Sequence, residues 1–246
     1  MQRLRIDLAY DGTNFSGFQI QLNARTIQQE IERSLKKIHQ QPVRVCGSGR
    51  TDAGVHANQQ VIHFDSWLEL SEENWKKALQ TTMARDLSVL SVEKVAPDFH
   101  ARKDAVEKIY RYYIRRADDY DVFHRNFEWH VPRKLNLEVM REAAKLVEGT
   151  HDFTAFSASK TNVKGDKTRT VHEIKLVEEG SHLIIEVKGN GFLTHMVRII
   201  VGTLVEIGLG KKDIQCINRA FETNNRQQLG QTAPPQGLFL WKVSYE

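Results

Sequence analysis

Several features that often mark a function are scarce in this sequence. It has only two cysteines, Cys46 and Cys216, and neither has a second cysteine at the spacing of a zinc ribbon or a redox motif. The sequence therefore argues against a disulfide-held scaffold. Unpaired cysteines fit a reducing compartment, and we expect a cytoplasmic protein.

Long apolar runs and nucleotide-binding motifs are also lacking. No window approaches the roughly 18 uncharged apolar residues of a membrane helix, and no apolar signal core precedes the first predicted strand, so we expect a soluble protein that is not exported. No Gly-Lys-Ser or Gly-Lys-Thr occurs, and Gly47-x-Gly49 lacks a third glycine that opens a helix. No histidine pair has the helical spacing of a metal site. We therefore expect no organic cofactor and no metal.

Enough apolar and basic residues remain to build a folded, weakly basic protein. Of the 246 residues, 40% are hydrophobic, and 35 Lys and Arg against 31 Asp and Glu leave a net charge of +4. This composition supports a sizeable core and permits a polyanionic partner without requiring one.

The order of predicted elements indicates an α+β fold. Apolar residues alternate near the start of the chain, as in a half-buried strand, and Thr26, Ser71 and Asn136 occupy helix N-cap positions. A long run of mostly apolar residues predicts a helix over 192–207, and the last strand is predicted over 238–245. Each half then has the order β-α-β-β-α-β, which is ferredoxin-like. We expect two halves, 1–100 and 101–246, sharing one mixed, mainly antiparallel sheet with helices on one face.

The most unusual stretch is the glycine-rich segment from Cys46 to Ala57, between two predicted strands. It contains Arg50, Thr51 and Asp52 among small residues. Glycines let the backbone approach a ligand closely, so a carboxylate here can be aimed without bulky neighbours. We expect Asp52 to be a catalytic nucleophile or base that acts on a nucleobase.

Basic and aromatic residues are interleaved where the second half begins. They are Arg102, Lys103, Lys108, Tyr110, Arg111, Tyr112, Tyr113, Arg115 and Arg116. We expect a strand with Arg and Lys on one face and aromatic rings on the other, which suits a surface that tracks a backbone and stacks bases. A basic edge strand with a tyrosine-lined core face is the alternative. A second basic segment, Lys160, Lys164, Lys167 and Arg169, fits either an RNA contact or a solvated loop.

A single arginine, Arg198, interrupts the apolar helix of the second half. A buried guanidinium needs a carboxylate partner, and Asp52 is a candidate. The alternatives are that Arg198 extends to solvent or pairs with a structural acid.

Several motifs together resemble the tRNA pseudouridine synthase A family over essentially the whole chain. The resemblance rests on Gly49-Arg50-Thr51-Asp52-Ala53-Gly54-Val55-His56-Ala57, Tyr10-Asp11-Gly12-Thr13, Phe99-His100-Ala101-Arg102, Lys108-Ile109-Tyr110-Arg111-Tyr112, Gly149-Thr150-His151-Asp152-Phe153-Thr154, Met196-Val197-Arg198 and Thr232-Ala233-Pro234-Pro235-Gln236-Gly237-Leu238. It implies the pseudouridine synthase fold and a homodimer that needs no metal or cofactor. It also implies isomerisation of uridine to pseudouridine at positions 38, 39 and 40 of the tRNA anticodon stem-loop.

The resemblance also implies roles for individual residues. Asp52 is the essential aspartate, Tyr110 stacks on the target base, and Arg198 is the basic partner of Asp52. Arg50 helps to extrude the uridine. The predicted substrate or RNA contacts are Arg50, Thr51, Arg102, Lys108, Arg111 and Leu238.

Some questions stay open at the level of sequence. Asp52 could add to the base, attack C1′ or remove a sugar proton to give a glycal, and we favour the last. Gln59 stands where the family usually has Gly, and Met83-Ala84-Arg85 replaces a usual Leu-Pro pair. A non-catalytic RNA-binding or RNA-chaperone paralogue is therefore the alternative function, followed by a small-molecule enzyme that uses the loop for phosphate.

Overall fold

A computed structural model describes residues 1–158 and 165–245 of the chain. Its strands are β1 Gln2–Tyr10, β2 Cys46–Gly47, β3 His56–Ser66, β4 Leu87–Val95, β5 Ala105–Arg115, β6 Trp129–His130, β7 Gly149–Asp152, β8 Thr168–Glu179, β9 His182–Gly189 and β10 Leu238–Tyr245. Its α-helices are α1 Ile27–His39, α2 Glu72–Thr82, α3 Leu137–Lys145, α4 Met196–Gly208 and α5 Cys216–Thr223. Short 3-10 turns cover Thr154–Phe156, Arg226–Gln228 and Pro235–Gly237.

The chain divides into two compact units. The first joins Met1–Val106 to the last strand, from Phe239 onwards, and the second is Glu107–Leu238. Each combines antiparallel strands with helices, so the predicted α+β class is confirmed. The predicted halves 1–100 and 101–246 stay a prediction about domains. The compact units differ from them because β10 pairs in parallel with β3.

The first unit has the strand order β4-β1-β3-β10, with β2 added on β3. β1 is antiparallel to both β3 and β4. The alternation predicted for β1 is confirmed, because Leu4, Ile6 and Leu8 have no exposed surface. The Thr26 hydroxyl accepts the Gln29 amide at the start of α1, as the sequence predicted.

The second unit has the strand order β5-β9-β8-β7, all antiparallel, with β6 beside β5. α4 is buried along nearly its whole length and packs against α3. The prediction that this helix begins at Phe192 was wrong, because His195 has a φ of 65° and the helix begins at Met196. A left-handed residue cannot continue a right-handed helix, and apolar spacing does not reveal it.

Two further sequence predictions concern a basic segment and membrane-spanning helices. Lys160 and Lys164 of the second basic segment lie outside the described residues. Within the described ranges, no helix is both long enough and apolar enough to span a bilayer.

Candidate functional site

Asp52 lies in the connection between β2 and β3, which we call the Asp52 loop (residues 48–55). Its side chain is half-buried, whereas Arg50 is exposed and Thr51 is buried. The carboxylate is thus partly shielded from water and still reachable by a ligand. The segment around it belongs entirely to the first unit.

Backbone hydrogen bonds hold this loop on both sides of Asp52. The Phe18 amide donates to the Thr51 carbonyl at 3.0 Å, one residue before the aspartate. The Gly54 amide donates to the Phe15 carbonyl at 3.2 Å, two residues after it. The segment 11–18, which follows β1, therefore fixes the Asp52 loop by main-chain contacts.

Two glycines permit this close approach of backbones. A Cβ on Gly12 would lie 2.0 Å from the Val55 carbonyl oxygen. Gly17 has a φ of +89°, and a Cβ there would lie 2.8 Å from the Thr51 carbonyl oxygen. Any side chain at either position would push the Asp52 loop away.

His56, the first residue of β3, directly follows the Asp52 loop and joins it to two other segments. Its ring is 1% exposed, and its Nδ1 accepts the Gly12 amide at 3.0 Å and lies 3.2 Å from an Asp11 carboxylate oxygen. The ring also stacks on Phe239 of β10, with centroids 4.6 Å apart. His56 has no role among those predicted from the sequence, although it belongs to the quoted motif.

The structure brings together two of the predicted RNA contacts, Arg50 and Arg102. Both line a pocket of about 170 Å³ in the first unit, with Phe18, Gly47 and Gly49 among its walls. Two guanidinium groups beside glycine backbone form a suitable place for a phosphate. This pocket adjoins the Asp52 loop through Gly49 and Arg50.

In the second unit, β5 carries the aromatic and basic residues, but not in the arrangement predicted from the sequence. Side chains alternate along a strand, so Lys108, Tyr110 and Tyr112 share one face of β5. Arg111 and Tyr113 share the other. The prediction of basic residues on one face and aromatic rings on the other was wrong, because it followed residue type and not position along the strand.

Tyr110 is 8% exposed and meets Phe192 edge to face at 5.2 Å. Arg111, on the opposite face, pairs with Glu186 at 2.7 Å, its direct cross-strand neighbour on β9. Its charge is thus largely balanced within the unit. The RNA-binding roles of Lys108 and Arg111 stay predictions.

Arg198 lies in the first turn of α4 and is half-buried. Its Nε donates to the Ala233 carbonyl at 2.8 Å, and the Ala233 amide donates to the Arg198 carbonyl at 3.0 Å. The helix dipole disfavours a cation in this turn by about 0.3–1 kcal/mol. The Arg198 guanidinium is thus kept in an unfavourable position, and a carbonyl holds its Nε. This arrangement suits a guanidinium that binds an anion through its terminal nitrogens.

Leu238 is buried, and the turn before it packs on the β5 face that carries Tyr110. A Cβ on Gly237 would lie 2.7 Å from the Tyr112 ring, and the Tyr112 hydroxyl donates to the Pro234 carbonyl at 2.7 Å. Burial raises the pKa of Tyr112, so the hydroxyl stays protonated and can donate. These contacts fix the turn that leads into β10.

A cluster outside the predicted site contains Cys46, His63 and His100, whose ligand atoms lie within 4.8 Å of one another. His63 Nδ1 accepts the Ala101 amide at 3.1 Å, and His100 Nδ1 accepts two backbone amides at 3.2 and 3.3 Å. In a neutral ring the proton then lies on Nε2. Nε2 of His100 is 3.8 Å from Cys46 Sγ, so it is arranged to donate to sulfur and not to bind a metal.

Comparison with known proteins adds what geometry alone does not give. A family model described as tRNA pseudouridine synthase matches residues 8–104 and 143–246. The tRNA pseudouridine synthase A of a Geobacillus species is 50% identical over 246 residues, covering 100% of this chain and 99% of that protein. The Oceanobacillus iheyensis protein of the same name is 47% identical, covering 100% and 98%. The chain belongs to the tRNA pseudouridine synthase family.

The family match does not cover every predicted site residue equally. Asp52, Arg198 and Leu238 lie inside the two matched ranges, whereas Lys108, Tyr110 and Arg111 lie between them. The full-length relatives span that interval, including tRNA pseudouridine synthase A 1 of Bacillus cereus, which is 48% identical over 246 residues and covers 100% of this chain and 99% of that protein. The recognition of the family from its motifs is thus confirmed, and so is the assignment to an isomerase.

One departure from the family pattern has a structural explanation. Gln59 donates to the Asp7 carboxylate at 2.6 Å and accepts the Val243 amide at 3.4 Å. Asp7 is 6% exposed and therefore needs such a partner. Gln59 thus joins β1 to β10 within the first unit.

Three buried polar residues within or next to the Asp52 loop have no role among the predictions from sequence: Tyr10, Ser48 and Gln60. Each is at most 5% exposed. The available signal was that Gln60 alternates with Ile62 and Phe64 and so shares their apolar face of β3, where a buried amide must be bonded.

Proposed function

We propose that this protein isomerises uridine to pseudouridine at positions 38, 39 and 40 of the tRNA anticodon stem-loop, with Asp52 as the essential carboxylate. The observation that carries the proposal is that the family match covers the Asp52 loop, and that main-chain bonds hold this loop on both sides of Asp52. Fixed geometry of this kind is what a group acting on one sugar–base bond requires.

The reaction breaks the C1′–N1 bond of uridine and forms a C1′–C5 bond in its place. The proton on C5 leaves and N1 of the released base gains one, so the product is an isomer of the substrate. Asp52 acts at the nucleoside as nucleophile or base, and removal of a sugar proton to give a glycal is the route we favour. No oxidant, reductant or group donor takes part.

Other residues bind and orient the nucleoside in this proposal. The uridine leaves its helix at a cost of a few kcal/mol, which stacking on Tyr110 and phosphate contacts offset. Arg198 supports the Asp52 carboxylate. Arg50 and Arg102 bind phosphate at the pocket that they share, and Arg50 helps to hold the base out. The protein works as a cytoplasmic homodimer without metal or cofactor.

The direct test is tritium release from tRNA labelled at C5 of uridine. Asp52→Asn keeps the shape of the side chain and removes its charge, so release should fall to background. Asp98→Asn, an exposed carboxylate of the same unit, is the matched control and should keep full activity. Release by Asp52→Asn at more than a tenth of the wild-type rate would contradict the role of Asp52.

Substrate position needs a separate measurement. Three tRNA transcripts, each with cytidine in place of uridine at two of positions 38, 39 and 40, should each gain one pseudouridine. A wild-type protein that binds tRNA but forms no pseudouridine in any transcript would favour the non-catalytic paralogue.

A further inference from the structure

Four polar side chains lie buried within or against the Asp52 loop, Ser48 and Thr51 in the loop itself and Tyr10 and Gln60 against it. Tyr10 is 5% exposed, Thr51 7%, and Ser48 and Gln60 have no exposed surface. Buried polar groups are costly unless hydrogen-bonded, so their mutual contacts decide whether this region is stable. All four belong to the first unit.

Backbone groups fix the orientation of the Gln60 amide. The Val61 amide can only donate, and it points at Gln60 Oε1 at 3.2 Å. The Gly49 carbonyl can only accept, and it faces Gln60 Nε2 at 3.0 Å. Ser48 therefore donates its hydroxyl hydrogen to Oε1 at 2.6 Å.

The orientation of Gln60 sets the direction of the next hydrogen bonds. Gln60 Nε2 donates to the Tyr10 hydroxyl oxygen at 3.4 Å. The Tyr10 hydrogen then points to Thr51 Oγ1, 2.9 Å away. Burial raises the pKa of Tyr10 to about 12, so this hydroxyl stays protonated and can donate near neutral pH.

Thr51 is thereby held at two atoms, immediately before Asp52. Its Oγ1 accepts from Tyr10, and its carbonyl oxygen accepts from the Phe18 amide. The carbonyl belongs to the peptide unit whose nitrogen is that of Asp52, so fixing it fixes the start of the aspartate. The chain Gln60–Tyr10–Thr51 thus runs from a buried strand to the backbone of the aspartate.

We propose that Gln60 and Tyr10 are positioning residues for the reaction: through Thr51 they orient the Asp52 backbone and so the carboxylate. This inference rests on the proposed function, because it assumes that Asp52 is the reacting group. Reacting groups must be held within about 0.5 Å of their productive geometry, so a small rotation of the Thr51–Asp52 peptide is enough to slow the reaction.

The first test compares Tyr10→Phe with Ser66→Ala. Ser66 is also fully buried in the first unit, and its hydroxyl bonds His39 at 2.9 Å, about 20 Å along β3 from Gln60. Both variants lose one buried hydroxyl and should lose similar thermal stability. Tyr10→Phe should lower kcat for tritium release about tenfold with KM for tRNA within twofold of wild type, whereas Ser66→Ala should leave kcat unchanged.

The second test uses Gln60→Glu and pH. An ionised carboxylate cannot donate to Gly49 or Tyr10, but its protonated form can donate its one hydrogen to either of them, and burial raises the pKa of a carboxyl. The ratio of variant to wild-type kcat should therefore rise as the pH falls from 8 to 6. A loss of packing alone would not restore activity on acidification. If Gln60→Glu does not fold, the kcat of Tyr10→Phe alone tests the positioning role.

The outcomes separate this inference from the proposed function. A wild-type protein without pseudouridine formation, or an active Asp52→Asn variant, would overturn the proposed function. An inactive Asp52→Asn together with a Tyr10→Phe kcat no lower than that of Ser66→Ala would overturn only the positioning role. A pH-independent ratio for folded Gln60→Glu would do the same.

Discussion

Replacing Gly12 by alanine tests how far the Asp52 loop can move before activity is lost. The new Cβ would lie 2.0 Å from the Val55 carbonyl oxygen and 2.6 Å from its carbonyl carbon. Ordinary contact begins at 3.4 Å, and both obstacles are backbone atoms that cannot rotate away. Val55 or Gly12 must therefore shift by about 1.4 Å, the difference between 3.4 and 2.0 Å.

A shift of this size reaches Asp52, which is only three residues from Val55. A misplacement of about 1 Å can cost on the order of 100-fold in rate. We therefore expect Gly12→Ala to lower kcat about 100-fold. The same overpacking should cost about 1–3 kcal/mol of stability.

The assay is tritium release at saturating tRNA, with thermal unfolding followed by circular dichroism. Gly210→Ala is the control, because Gly210 has a φ of +69° and a Cβ there would meet nothing within 4 Å. It introduces backbone strain without a clash and should lower stability while keeping kcat.

The refuting result is a folded Gly12→Ala variant whose kcat stays within threefold of wild type. It would mean that the loop can be displaced without loss of the chemistry. If Gly12→Ala does not fold, Gly17→Ala applies a smaller clash, at 2.8 Å, to the Thr51 carbonyl. A wild-type rate for that folded variant would refute the reasoning equally.

Two further predictions concern other residues. Arg198→Lys should keep the thermal stability but lower kcat roughly 10- to 100-fold, the equivalent of a charged hydrogen bond of about 1.5–3 kcal/mol. Arginine can bond the Ala233 carbonyl through Nε and a second acceptor through its terminal nitrogens, and an ammonium cannot reproduce this geometry. Near wild-type turnover of Arg198→Lys would contradict the prediction. Burial and the neighbouring His100 lower the pKa of His63 to about 4 in the folded chain, from an ordinary value near 6.5. The unfolded chain therefore binds a proton that the folded chain does not, and stability should fall as the pH drops from about 6.5 to 4. His63→Asn, whose amide oxygen can still accept the Ala101 amide, should show a smaller fall in urea midpoint than the wild type between pH 7 and 4.5. Equal falls in the two proteins would contradict this role of His63.

Local signals in the sequence predicted local structure well. Thr26, Ser71 and Asn136 each cap a helix with the predicted side-chain bond, and the last strand spans the predicted Leu238–Tyr245. These features depend on a few neighbouring residues. Their geometry follows from side-chain periodicity and one hydrogen bond.

Features that depend on distant segments were not predictable in this way. The helix at Met196 begins late because His195 is left-handed, and nothing in its apolar spacing indicates that. The support of the Asp52 loop comes from segments around Tyr10, Phe18 and Gln60. Motif spacing identified the aspartate, but contacts between segments far apart in sequence determine how it is held.

The pairing of β10 with β3 makes the maturation of the first unit wait until the whole second unit has been synthesised. Phe239, which covers the His56 ring, follows the second unit along the chain. At about 5–20 residues per second, roughly 10–35 s separate the synthesis of β3 from that of β10. During that time a nascent chain carries Asp52 on a loop that is followed by a histidine still lacking its aromatic cover.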